Sequence, residues 1–251
     1  MNFKNKIINL NQLNGAMIFE FFSPGIPIIL KNAGCDFIIF DMEHGGLSLE
    51  QFKTLAAISN ANRIFPLIRI PELSYNYIAR ALDLGAAGIM NPMVNSAEEA
   101  KKIVQFSKYP PIGIRGAGFG FAHDNYTNTD PLTYIEEANN KLVNIIQIET
   151  SLGLESVEEI ASIDGVDCLW VGHFDLTNFL GIPGNFKSPI YLDAINRIIC
   201  AAKLNNKSLG IMVNNKDELE MYSNLGFNLI AVGTEMSILS QGVSSLLKYK
   251  K

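Results

Sequence analysis

The chain has 251 residues, 48% of them hydrophobic and 18% charged, and carries a net charge of −5. That is material for one large α/β barrel or two modest domains, and an acidic chain with scattered Lys and Arg argues against nucleic acid or an anionic membrane surface as a partner. No long apolar run follows the N-terminus and no segment is long enough to span a bilayer, so a soluble cytoplasmic protein is expected. Residues 248–251 read as a solvated tail. Cys35, Cys168 and Cys200 are far apart and read as buried reduced thiols, not a disulfide frame or a zinc site.

Short apolar runs alternate with helix-like stretches along the whole chain. A strand is predicted over 16–21, then Ser23-Pro24 as a helix start and a helix to Ala33, with Gly34 just past its end. The second strand, 37–41, leads into a loop at 42–46 and a helix opening on Ser48. The third, 65–69, is ended by Pro71, and Ser74 opens a helix that reaches 84–85. The fourth covers 88–90, and 95–100 caps and starts its helix. Residues 109–120 are rich in Gly and Pro and continue irregularly to Asp130-Pro131, which is the pattern of a functional lid or a binding loop. A helix over 132–140 precedes the fifth strand, 143–149. The sixth strand is 168–172 and 175–188 reads as a loop. A helix over 189–204, a strand over 209–213, a helix over 216–225, a strand over 228–233 and a helix over 234–247 complete the chain.

The strands are apolar on both faces, as buried parallel strands must be, and eight of them, nearly all followed by a helix, fit a (β/α)8 TIM barrel as one domain over 1–251. A doubly wound open sheet is the alternative. Its G-x-G-x-x-G fingerprint does not follow the first strand, and no Walker A sequence occurs.

Polar residues gather at the carboxyl ends of these strands, where barrel active sites are built. Asp41, Arg69, Gln147, Glu149 and Asp175 fall there, with Glu43 and His44 in the adjoining loop. Gln147 and Glu149 share a strand face because side chains alternate. Glu149 and Asp175 are one strand–helix–strand unit apart and so lie side by side. Converging carboxylates repel unless they share a proton or hold a cation, and this pair points to a divalent metal. Each residue also has a plainer reading. Asp41 or Asp175 can cap a helix, Arg69 can neutralise a buried carboxylate, His44 can be structural, and Glu43 can be a hydrogen-bond acceptor or an exposed charge. Together they favour a site, because surface chemistry would place them mainly on helix faces.

Phe40-Asp41-Met42-Glu43-His44-Gly45, Ile68-Arg69, Tyr109-Pro110-Pro111-Ile112-Gly113-Ile114-Arg115-Gly116, Ile146-Gln147-Ile148-Glu149-Thr150 and Val171-Gly172-His173-Phe174-Asp175-Leu176 occur in this order. In this the chain resembles, over nearly its whole length, the HpcH/HpaI aldolase family, the class II metal-dependent pyruvate aldolases. The resemblance implies a (β/α)8 barrel in a homo-oligomer, a hexamer or a dimer that exchanges the last helix. It implies reversible cleavage of a 4-hydroxy-2-oxo acid into pyruvate and an aldehyde through a metal-bound enolate. By the same resemblance Glu149 and Asp175 bind Mg2+ or Mn2+, with Co2+ or Zn2+ as further candidates. Gln147 and the backbone at Phe174-Asp175 hold the pyruvate end. His44 is the base, Arg69 stabilises charge on substrate oxygens, and Asp83 tunes the histidine.

The residue types suit that chemistry. Carboxylate oxygens are the ligands hard cations prefer, and no lysine stands at a strand end where a Schiff base would form. The chain departs from the family at Gly172-His173-Phe174-Asp175-Leu176-Thr177, where a small residue usually precedes the Asp. The Phe174 ring can narrow the pocket, and His173, by alternation, should point away from it and pack or cap. Two other readings stand beside the aldolase. A citrate-lyase-beta-like acyl-CoA lyase needs a basic groove for the CoA phosphates, and no concentrated basic segment adjoins the site. A non-catalytic barrel that binds a 2-oxo acid and a metal leaves His44 and Arg69 without a task.

Overall fold

In a computed structural model, which describes residues 2–127 and 130–247, eight parallel strands close into a ring in chain order. They are β1 (Leu13–Ile18), β2 (Phe37–Asp41), β3 (Phe65–Arg69), β4 (Gly88–Asn91), β5 (Val143–Ile148), β6 (Cys168–Val171), β7 (Ser208–Met212) and β8 (Leu229–Thr234). Pairing of β1 with β8 seals the barrel. The helices are α1 (Phe3–Ile8), α2 (Ile26–Asn32), α3 (Leu49–Ala61), α4 (Tyr75–Asp83), α5 (Ala97–Ser107), α6 (Pro131–Lys141), α7 (Ser151–Glu155), α8 (Val157–Ser162), α9 (His173–Phe179), α10 (Pro189–Leu204), α11 (Lys216–Leu225) and α12 (Glu235–Leu247).

Alternation along the strands splits the core into two layers. Leu13, Met17, Phe37, Ile39, Leu67, Val143, Ile145 and Trp170 fill the barrel interior. Ile18, Ile38, Phe40, Ile68, Ile146 and Ile148 face the helices. The inward rows change character as they rise: Phe37 and Ile39 lead to Asp41, Leu67 to Arg69, and Val143 and Ile145 to Gln147 and Glu149. The same period of two that packs the core thus brings these polar groups to the carboxyl mouth.

The helix α1 was not expected. It plugs the amino end, burying Phe3 and Ile7, roughly 1.5–3 kcal/mol for each side chain. The Ile7 carbonyl accepts hydrogen bonds from the Ser208 hydroxyl and the Asn228 amide.

Other expectations need correction. The first strand ends at Ile18 because the N–H groups of Phe19, Glu20 and Phe21 are taken by the Glu235 carboxylate and not by a sheet neighbour. The Gly- and Pro-rich stretch, expected as a lid or a binding loop, leaves α5 at the amino end of the barrel. The helix α5 runs back against the strands, so its exit lies at the amino end, where Arg115 reaches Asp83. Part of 175–188 is helical, as α9. Cys35 and Cys168 are buried free thiols, but Cys200 is exposed on α10. The tail at 248–251 falls outside the described residues. Among those residues no helix is long and apolar enough to cross a membrane.

Candidate active site

Asp41 and Arg69 are register partners on β2 and β3. Arg69 Nε donates to Asp41 Oδ1. Asp41 is fully buried, and its carboxylate also accepts the backbone N–H groups of Glu43 (3.3 Å), His44 (2.8 Å) and Gly45 (3.0 Å). It therefore does not cap a helix. Ser48 caps α3, in a capping box with Gln51. What Asp41 does is fix the loop that carries His44 and hold Arg69 by charge-assisted hydrogen bonds. Gly45 is required here, since a Cβ would lie 2.5 Å from the Phe19 carbonyl oxygen and 2.7 Å from that of Asp41.

The remaining donors of Arg69 point onward. Nη1 lies 3.0 Å from Glu43 Oε2, and Nη2 is buried with no hydrogen-bond partner. The guanidinium carbon sits 5.4 Å from the Phe19 ring centroid, a stacking geometry that suits arginine. Burial pushes the Glu43 carboxyl above its ordinary range, opposed by Arg69 and His44 and reinforced by Asp41 and Asp175. His44 Nε2 is 3.8 Å from Glu43 Oε2, and its side chain is exposed at the rim.

On β5, Gln147 Nε2 donates to Glu149 Oε2, which confirms that the two share the inner face. Glu149 Oε1 accepts the Met93 N–H at 2.7 Å. Met93 adopts a left-handed φ of 55° to present that amide, a conformation uncommon outside glycine and often found at functional sites. Glu149 is 1% exposed. Burial raises its pKa, the Met93 and Gln147 hydrogen bonds oppose that, and the charges of Glu43 and Asp175 add to it. Gly172 lets the end of β6 close over this group, because a Cβ there would meet Glu149 Oε2 at 2.4 Å. Gln147 Oε1 is a buried acceptor with no partner.

Asp175 lies in the first turn of α9, whose N-cap is Gly172 and whose first turn no side chain caps. Asp175 is thus not a cap, and the amides of that turn remain free of a side-chain partner. Phe174 is 55% exposed and packs edge-on against Phe186 at 5.2 Å. His173 does not turn away from it, since the two rings are 4.6 Å apart. Strand alternation ends before residue 173, where the helix begins. Burial holds the His173 imidazole down at about 4, so it is neutral packing.

His44, Arg69, Gln147, Phe174 and Asp175 line one cleft of about 220 Å³ whose walls include Met17, Phe19, Trp170 and Met212. Glu149 sits behind that wall. No group of three or more His, Cys, Asp and Glu with metal-holding geometry occurs among the described residues. Mg2+ commonly takes only one or two protein carboxylates and fills its shell with water and substrate oxygens. Glu149 and Asp175 suit that pattern. The Asp175 charge raises the cost of ionising Glu149, Gln147 Oε1 lacks a partner, and every donor in the set is oxygen.

The fold does not bring Asp83 to His44 within one chain. It ends α4, which runs back from the mouth, and there it accepts a hydrogen bond from Arg115 Nη2 at 2.5 Å. Phe19 and the Met93 amide were missed. Counting inward positions on from Met17 would have put Phe19 in the mouth, but nothing in the sequence marks the Met93 backbone.

A family model described as HpcH/HpaI aldolase/citrate lyase matches residues 21–241. The chain is 31% identical to a hydroxypyruvate/pyruvate aldolase of Roseovarius nubinhibens over 88% of its own length and 86% of that protein's. It is 32% identical to a 4-hydroxy-2-oxo-heptane-1,7-dioate aldolase of Salmonella dublin over 87% and 82%. Its fold matches the crystal structure of an HpcH/HpaI aldolase from Desulfitobacterium hafniense with a TM-score of 0.95, at 26% identity, covering 100% of this chain and 97% of that one.

Proposed function

The chain belongs to the HpcH/HpaI aldolase/citrate lyase family and is an aldolase of it, and from that premise we propose that it cleaves, reversibly, a 4-hydroxy-2-oxo acid into pyruvate and an aldehyde. The observation that carries the reading is a pair of unmet groups at one mouth. Arg69 Nη2 is a donor and Gln147 Oε1 an acceptor, both buried and both without a partner, beside carboxylates that repel one another. A 2-oxo acid supplies the complement to the first, and a divalent cation the complement to the last.

Arg69 presents a fixed fork to the substrate oxygens on which charge develops. Its aim is set by Asp41 behind it and the Phe19 ring beside it. The first-turn amides of α9 at Phe174 and Asp175 orient the substrate carboxylate, as helix N-termini do for anions, and Gln147 lines the same end of the cleft and holds Glu149. His44, at the rim, removes the proton of the 4-hydroxyl and returns it in the reverse direction. Glu149 and Asp175 are the residues that would hold Mg2+ or Mn2+, with Co2+ or Zn2+ as other candidates. When bound, such an ion supplies Lewis acidity to the 2-oxo group. Phe174 borders the half of the cleft left for the aldehyde.

The protein is proposed to act as a cytoplasmic homo-oligomer, a hexamer or a dimer of exchanged helices. Two features support assembly. The helix α12 leaves Met236, Ile238, Leu239, Val243, Leu246 and Leu247 exposed, more contiguous apolar surface than a lone helix face needs. Asp83 can serve His44 only from a neighbouring copy. A panel of 4-hydroxy-2-oxo acids, varied in chain length and terminal charge and scored for pyruvate, tests the reading. Pyruvate should form with added Mg2+ or Mn2+ and stop with EDTA, whereas full activity in EDTA-stripped protein would remove the metal from the account.

A further inference from the structure

The last helix, α12, buries only one of its 13 residues, and that residue is Glu235. A helix that merely rested on the barrel would bury an apolar side chain. Instead its anchor is a carboxylate, 8% exposed, that collects three successive amides of the loop after β1. Glu235 Oε1 accepts the N–H of Phe19 at 3.0 Å, of Glu20 at 2.6 Å and of Phe21 at 3.0 Å, and Oε2 is 3.1 Å from the Phe19 N–H. Convergent amides of this kind form an anion-binding concavity, and hydrogen bonds to an ionised acceptor are roughly twice as strong as neutral ones. The loop is therefore pinned at its first residue.

That residue, Phe19, touches both arms of the cleft. Its ring is 5.4 Å from the Arg69 guanidinium carbon. Its carbonyl is packed against Gly45, so closely that no Cβ fits there, and Gly45 belongs to the loop that Asp41 folds around His44. Phe19 also lines the cleft itself.

We propose that Glu235 is a positioning residue of the active site: by holding the amides of 19–21 it sets the Phe19 ring against Arg69 and keeps the guanidinium and the His44 loop in their working geometry. The proposal rests on the aldolase reading for the reaction that Arg69 serves. Glu235 does not touch substrate and acts only through Phe19.

A double-mutant cycle on the full-length protein tests this, using Glu235→Gln and Phe19→Leu. Glu235→Gln should lower kcat by about 10- to 100-fold, the scale of a misplaced catalytic group. Mn2+ affinity should stay within about twofold, because Glu149 and Asp175 stand on other elements. Hydrogen–deuterium exchange of the peptide spanning 16–24 should speed up. In the Phe19→Leu background the same substitution should cost less than about threefold, since coupled residues are non-additive. Glu235→Asp, which keeps the charge, should recover part of the loss, and it takes over the cycle if Glu235→Gln does not fold. A kcat in Glu235→Gln within about twofold of wild type, or losses that simply multiply across the cycle, would overturn the positioning role while leaving the aldolase reading intact. A wild-type protein that releases no pyruvate from any 4-hydroxy-2-oxo acid, with metal present, would remove both.

Discussion

Each end of the barrel buries an arginine against an aspartate, and the two pairs are surrounded differently. At the mouth, Asp41 is fully buried, is held by three backbone amides and leaves Arg69 Nη2 without a partner beside a cleft. At the amino end, Arg115 Nε is likewise buried without a hydrogen-bond partner, but the Asp83 side chain is 40% exposed, and the Arg115 guanidinium lies 4.5 Å over the Tyr109 ring. The larger cavity, about 550 Å³, is at the amino end, bordered by Arg115, His123 and Tyr134. Size therefore does not mark the site. What distinguishes the mouth is that burial and the charge of Asp175 both push the Glu43 and Glu149 carboxyls up, and acids whose charge is disfavoured in this way are a set waiting for a cation.

The sharpest way to break this contrast is to remove one of the acids. Glu149→Ala or Asp175→Ala should abolish Mn2+ binding in calorimetry and turnover with it, while circular dichroism stays unchanged. Next in size, His44→Ala should cut kcat by about 10²–10⁴-fold, the usual worth of a general base, with Mn2+ affinity preserved. Wild-type turnover in that variant would take His44 out of the mechanism.

The amino-end pair sharpens the comparison in another way. If Asp83 serves a neighbouring copy, Asp83→Asn and His44→Ala chains, each impaired alone, should regain activity when unfolded and reassembled together. Failure of the mixture to exceed its components would confine Asp83 to pairing with Arg115.

The smallest effect concerns stability. Burial pushes the Lys108 ammonium down to about 8 from an ordinary 10.5, at a position only 2% exposed. The unfolded chain then binds this proton more tightly than the folded one, so the Lys108 contribution to stability rises as pH climbs from about 8 to 10.5. Relative to Lys108→Met, the wild type should gain up to about 3 kcal/mol across that window, at 1.36 kcal/mol per pKa unit. A constant difference in urea midpoints would contradict it.

The barrel and most of the mouth were legible because they follow from periodicity. Inward alternation along β2, β3 and β5 brings Asp41, Arg69, Gln147 and Glu149 together with no help from long-range information. What was not legible depended on contacts between distant segments. Glu235 is 216 residues from Phe19, and it is their hydrogen bond that ends β1 at Ile18 and corrects the expected strand. His173 escapes strand alternation because it opens α9. The irregular stretch from residue 109 is legible as a lid or a binding loop, but its place at the amino end follows only from the direction of α5.

In the proposed reaction the carboxylates at the mouth and the Arg69 fork together labilise a 2-oxo acid. Nuclear magnetic resonance of pyruvate in D2O follows this directly, as loss of the methyl proton signal. With Mn2+ or Mg2+ at catalytic levels the wild-type protein should exchange those protons, and both EDTA treatment and Glu149→Ala should stop it. Exchange at the wild-type rate in metal-stripped protein, or in Glu149→Ala, would contradict the account.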